Sequence, residues 1–250
     1  EKSNRPTSDA VYTPSRFISL ANTLGEVPVA TAALGPVAGL PASRLVASHF
    51  SVMTESSLVL IAGPKVVKRA LNIDVTKEAL GGAEVHLKSG VINNFAKTED
   101  DAFEQIKTFL SFVPDNAWTF PDSISTNDKE DRCDDLLIDI IPKDRRRPYS
   151  VRKIITSLLD INDDQSTFFE IGKKYGPSLV TGLGRLNGQS VGVIANDCMF
   201  YAGAMTTSAS KKIERFSDFC NSFHIPIISL VDEPGFMIGP ESEKSGTIRF

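Results

Sequence analysis

Cysteine is scarce: Cys133, Cys198 and Cys220 are the only three in 250 residues, widely spaced and without a Cys-x-x-Cys pair. Histidine is as sparse, at three, and unclustered. An odd, dispersed thiol set points to a reducing compartment, and neither residue type offers the grouped ligands of a structural zinc. The net charge of -4, with both signs interspersed, argues against a nucleic-acid surface. The one basic cluster, Lys143 to Arg147, is short and lies between Pro142 and Pro148, as in a solvated linker. No apolar run approaches the length of a membrane-spanning helix, so membrane insertion is not expected. The leading residues EKSNRPTSDAVYTPSR have neither an apolar signal core nor an initiator Met, and read as interrupted sequence rather than a targeting peptide. GxGxxG and a P-loop lysine are also missing, so neither a dinucleotide nor a nucleoside triphosphate is indicated. There is no Ser/His/Asp set and no pair of carboxylates at catalytic spacing.

What is there is globular. An apolar content of 41% can build a sizeable core, in one large domain or two small ones. Apolar spacing predicts a helix over Arg16 to Leu24, stopped by Gly25, then a strand over Val27 to Leu34. The glycine loop GPVAGLP (35 to 41) follows and leads into a helix over Ala42 to Ala47. Strand, glycine loop, helix places free N–H groups beside a strand end, which suits an anion or a polarised carbonyl, although such loops also serve close packing. The pattern repeats at Leu58 to Ala62, with Pro64 in the first turn of a helix reaching Leu71. Thr76 caps a short helix that Gly81-Gly82 closes, and His86 beyond it reads as a hydrogen-bonded structural residue.

Glu99 to Phe112 is an acidic-started amphipathic helix with Ala102, Phe103, Ile106, Phe109 and Leu110 on one face. Residues 114 to 135 lose all apolar period and read as a linker, after which Leu136 to Ile141 and Ser150 to Leu159 resume order and Thr167 to Ile171 is apolar again. Leu179 to Leu186 and Val191 to Ile194 flank Asn187-Gly188, a hairpin with a type I′ turn. Met205 to Phe223 contains a helix whose stripe includes Cys220, a packing thiol. The chain then reaches IPIISLVDEPGFMIG (225 to 239). Ile227, Ile228, Leu230 and Val231 predict a buried parallel strand that must end at Pro234, while Gly235 lets backbone come close to a ligand. On the local residues alone an ordinary Pro-Gly turn is the commoner explanation.

Several segments in one order carry a resemblance: GPVAG (35 to 39), GPKVVKRAL (63 to 71), DVTKEALGGAEVH (74 to 86), SGVINNFA (89 to 96), FFEIGKKYG (168 to 176), GLGRLNGQSVGVIAN (182 to 196) and KKIERFSDFCNSFHIPIISLVDEPGF (211 to 236). Together they resemble the carboxyltransferase subunit of biotin-dependent acyl-CoA carboxylases, of the propionyl-CoA and 3-methylcrotonyl-CoA carboxylase type. The resemblance implies an α/β fold of tandem crotonase-like domains, both incomplete. Residues 1–125 would be the latter part of the acyl-CoA domain and 126–250 the first part of the carboxybiotin domain. It implies carboxyl transfer through a thioester enolate, each carbonyl's charge being held by backbone N–H groups. Ala38, Gly39 and Leu40 match the acyl-CoA loop, where Leu40 replaces a second glycine; Gly235 and Phe236 match the biotin-side turn. Biotin would come from a biotin carboxylase or biotin carrier partner, coenzyme A with the substrate, and self-association into dimers or higher oligomers is expected. The family's other loop at each hole has no counterpart here, so each hole is expected to be half present, in a fragment or split subunit. A non-catalytic remnant and a biotin-dependent decarboxylase subunit are the alternatives. A mitochondrial matrix or cytoplasmic home follows from the resemblance.

Overall fold

The computed structural model describes residues 16–250 apart from 130, 145 and 164. Its first half runs α1 (Arg16–Glu26), β1 (Ala30–Ala33), β2 (Pro36–Ala38), α2 (Leu40–Ala47), β3 (Phe50–Thr54), β4 (Leu58–Leu60), α3 (Pro64–Leu71), α4 (Lys77–Gly81), α5 (Ala83–Ser89), β5 (Asn94–Ala96) and α6 (Glu99–Ser111). Its second half runs α7 (Leu136–Asp139), α8 (Val151–Leu158), β6 (Ile161–Asn162), β7 (Gln165–Ser166), β8 (Phe169–Ile171), β9 (Leu179–Leu186), β10 (Gln189–Asn196), α9 (Thr207–Ser222), β11 (Ile227–Leu230) and α10 (Pro240–Lys244).

In the first half β1, β3 and β5 form a parallel sheet, with Ala30 opposite Phe50 and Val52 opposite Asn94. Parallel neighbours need a crossover, and α2 supplies the one between β1 and β3. Beside this sheet β2 and β4 pair in parallel, Ala38 opposite Leu60. In the second half the order is β11-β10-β9-β8: an antiparallel meander to which α9 adds β11 in parallel. The halves share a core. Phe50 and Phe109 stack at 5.0 Å, Phe109 meets Phe219 of α9 at 5.5 Å, and the same buried cluster takes in Leu179, Leu183 and Phe223.

The hairpin is as expected: Asn187 and Gly188 have φ of 51° and 75°. Their amides both donate to the buried Asp160 carboxylate, at 2.8 and 2.7 Å. Residues 114 to 135 hold no helix or strand among those described, but they are not free. The Ile124 N–H donates to the Gly188 carbonyl at 3.1 Å, and the buried Arg185 guanidinium donates to the carbonyls of Asp122 and Ser111. An arginine lying among carbonyl oxygens ties the connection to the hairpin without a carboxylate partner.

Four expectations need correction. Pro36–Ala38 is a strand rather than loop; proline is accommodated because β2 sits at a sheet edge. An additional helix, α5, starts at Gly82, where α4 ends, so one glycine both closes and opens a helix. On α6, Ala102 and Phe109 are buried while Phe103 and Leu110, one position further round, face out. Finally β11 is parallel but not buried: it is an edge strand, Ile227 is exposed, and Val231 is 72% exposed. An unbroken apolar run does not by itself distinguish a covered strand from one whose outer side is open.

Candidate active site

At the first bend β2 ends at Ala38 and α2 begins at Leu40, with Gly39 between them at φ 65°, ψ −133°. That conformation is open to glycine and strained for other residues. The Gly39 N–H continues the β2–β4 ladder by donating to the Leu60 carbonyl at 3.2 Å, and the Gly39 carbonyl accepts the Ser43 N–H. Gly39 thus has no amide hydrogen left to offer. The Leu40 N–H is the first in the helix, and it has no partner among the described residues. Pro41 behind it brings no N–H of its own. The Leu40 side chain, 47% exposed, stands beside this donor. The far end of α2 is held from the second half of the chain. Arg215 of α9 donates to the carbonyls of Val46 at 3.1 Å and Ser48 at 2.6 Å, meeting the helix's last carbonyls with a cation.

At the second bend the chain leaves β11 through Asp232-Glu233-Pro234 and reaches Gly235 at φ 117°. The Met205 N–H donates to the Gly235 carbonyl at 3.0 Å, and the Met237 N–H donates to the Met205 carbonyl at 2.8 Å. This is a parallel bridge between Met205 and Phe236. In such a bridge the two residues flanking Phe236 make the bonds, so the Phe236 N–H points to the opposite side. Neither it nor the Gly235 N–H has a partner among the described residues. The space is open: a Cβ built on Gly235 meets nothing within 4 Å, and Phe236 and Ile238 are exposed. Tyr149 donates its hydroxyl to the Asp232 carboxylate at 2.6 Å, and burial together with that carboxylate pushes the phenol above its ordinary range.

Sequence reasoning missed the charged groups between the halves. A cavity of about 200 Å³ there is lined by His49, Tyr175, Lys212, Arg215 and Phe219, and by neither bend. Burial, then the Arg215 guanidinium, pushes His49 down to about 4. Its Nδ1 accepts the Val29 N–H at 3.0 Å, a bond only the neutral ring can accept. Lys212, pushed down to about 8 by burial, donates to the Leu179 carbonyl at 2.6 Å. Nearby, Arg152 grips Glu170 through Nε and Nη2 and reaches the buried Asp197 through Nη1, joining α8, β8 and the end of β10. Glu170, Tyr175, Lys212 and Arg215 lie inside segments that carry the resemblance, but the groups they meet lie far away in sequence, so only the fold brings them together. His86 is hydrogen-bonded as expected, donating Nε2–H to the Val59 carbonyl at 2.6 Å. Cys220 is fully buried and its thiol is pushed up to about 12.

The carboxyl transferase domain family's profile matches residues 15–250. The chain is 37% identical over 227 residues to the propionyl-CoA carboxylase carboxyltransferase subunit of Haloferax mediterranei, covering 90% of this chain and 43% of that one. It is 35% identical over 235 residues to the methylmalonyl-CoA decarboxylase subunit alpha of Veillonella parvula, covering 93% and 45%. Its backbone superposes on the hexameric transcarboxylase 12S, solved with hydrolysed methylmalonyl-coenzyme A bound, with a TM-score of 0.88 at 36% identity, over 93% of this chain and 45% of that one. The chain belongs to the carboxyl transferase domain family, and its fold is the crotonase-like α/β fold. It spans less than half the length of these relatives.

Proposed function

We propose that this chain takes part in carboxyl transfer between biotin and a short-chain acyl-CoA, with the acyl-CoA carbonyl at the first bend and the biotin ureido carbonyl at the second. The observation that carries it is shared by both bends: local hydrogen bonding uses the neighbouring backbone and leaves amide hydrogens with no partner among the described residues, Leu40 at one and Gly235 and Phe236 at the other. Donors fixed before the reaction stabilise charge where it develops, and losing one costs about 10²–10³-fold in rate. Leu40's N–H would hold the thioester oxygen as the α-carbon gives up its proton to the biotin nitrogen that releases the carboxyl group. Gly235 and Phe236 would hold the ureido oxygen as charge collects there. The free amides and the open space at Gly235 fit a planar ureido group; carboxybiotin, delivered by a biotin carrier partner, would supply the carboxyl group.

In the same proposal residues 1–125 serve the acyl-CoA and 126–250 serve biotin, with copies of the chain self-associating. Relatives named as carboxylase and as decarboxylase are about equally similar, so the direction of transfer is assigned to the partners rather than to this chain. The test is a label-transfer assay. The chain, joined to the further segments that its longer relatives carry, is mixed with a carboxylated biotin carrier and propionyl-CoA. Labelled carboxyl appearing on the thioester supports the proposal. An assembled, folded complex that binds neither acyl-CoA nor biotin would leave a non-catalytic assembly role.

A further inference from the structure

One side chain joins the end of β10 to the second bend. Asn196, the last residue of β10, is buried. Its Oδ1 accepts the Asp232 N–H at 3.2 Å. Its Nδ2 donates to the Glu233 carboxylate and to the Gly203 carbonyl, both at 3.1 Å. The sheet does not fix these residues, because the ladder between β10 and β11 ends with Ala195 opposite Leu230. Gly203 closes in from the other side: at φ 80°, a Cβ there would lie 2.5 Å from the Asp232 carbonyl. Met205, which bridges to Phe236, follows two residues later.

We propose that Asn196 is a positioning residue that sets the direction of the Gly235 and Phe236 amides; what those amides meet rests on the carboxyl-transfer proposal above. The hydrogen bonds of its side chain, including a long one of 3.9 Å from Nδ2 to the Met205 sulfur, go to the two segments that frame the bend and not to the sheet that carries it. An amide does this because one group both accepts from an N–H and donates to a carboxylate. A carboxylate of the same shape keeps the first bond and turns the second into repulsion.

The test uses the ¹⁵N-labelled 250-residue chain and follows the Gly235 and Phe236 amide resonances. Asn196→Ala is expected to displace or split both, while those of Asn187 and Gly188 at the far end of the sheet stay in place. In Asn196→Asp the new carboxylate faces Glu233, with Asp232 held by Tyr149 and Asp197 held by Arg152 on either side. Its Gly235 and Phe236 resonances are expected near wild-type positions in acid and displaced at neutral pH, a change larger than the wild type's own. Both variants superposing on wild type at neutral pH overturns the proposal; if the alanine variant does not fold, the aspartate variant decides. Free biotin separates the two proposals. If the variants displace the bend but the wild-type amides ignore biotin, the role of Asn196 stands and the biotin-side reading falls. A biotin response of equal size in wild type and both variants overturns the role of Asn196.

Discussion

The Gly39 amide donates to the Leu60 carbonyl at 3.2 Å, which leaves Leu40 as the residue with a donor to give at the first bend. A backbone donor is removed by proline, and the first helical position tolerates proline well. In the proposed carboxyl transfer, Leu40→Pro is therefore expected to lower the rate by about 10²–10³-fold with little change in melting temperature. Leu40→Ala, which keeps the N–H, should stay within a few-fold of wild type. Parallel rate and melting measurements on the two variants check this.

Gly235→Ala separates strain from crowding. Nothing lies within 4 Å of the added methyl, so the cost comes from holding φ at 117°. That strain is of order 1–3 kcal/mol. If the chain relieves it by turning the bend, the amides turn with it. Denaturant unfolding should show the modest loss of stability, and the proposed biotin-dependent transfer the larger loss.

The Asp160 carboxylate holds the amides of Asn187 and Gly188 at the hairpin. Asp160→Ala leaves two N–H groups without their acceptor, one on exposed Asn187 and one on buried Gly188. The buried one costs about 1–3 kcal/mol. Urea unfolding should show a lower midpoint, and Asp160→Asn, which keeps one acceptor oxygen, should fall between the two.

His49 makes stability depend on pH. Its folded value is lowered from 6.5 to about 4, so between these the unfolded chain binds a proton that the folded chain does not. Its contribution is complete above 6.5 and is lost as pH falls toward about 4, a change of at most about 3 kcal/mol. His49→Asn, which can still accept the Val29 N–H, should flatten that part of the stability profile.

The thiols should react in order of access. Cys133 is exposed, Cys198 half-buried and Cys220 buried with its thiol pushed up to about 12. A thiol reagent at neutral pH should label Cys133 first and Cys220 only after unfolding. Rapid labelling of Cys220 in the folded chain would contradict its place in the core.

Local signals in the chain were strong where local physics decides the structure. Asn187-Gly188 set the hairpin, Thr76 capped its helix with the Ala79 amide at 3.1 Å, and Pro64 opened another. The resemblance gave the family and the α/β fold. Hidden from both were features fixed by distant pairings: the ladder bond that occupies Gly39, the edge position of β11, and the arginines 185 and 215 that answer carbonyls far away in sequence. The bends themselves were legible because glycine at positive φ is written into the chain. Which amide each bend leaves free was not, since that depends on the neighbouring strand.

The most direct test of the central claim follows two adjacent amides while propionyl-CoA is added to the ¹⁵N-labelled chain. The Leu40 resonance is expected to move downfield and saturate as it meets the thioester oxygen, with Gly39, already bonded to Leu60, moving far less. A saturable shift at Gly39 with Leu40 unmoved, or no response at either, would contradict it.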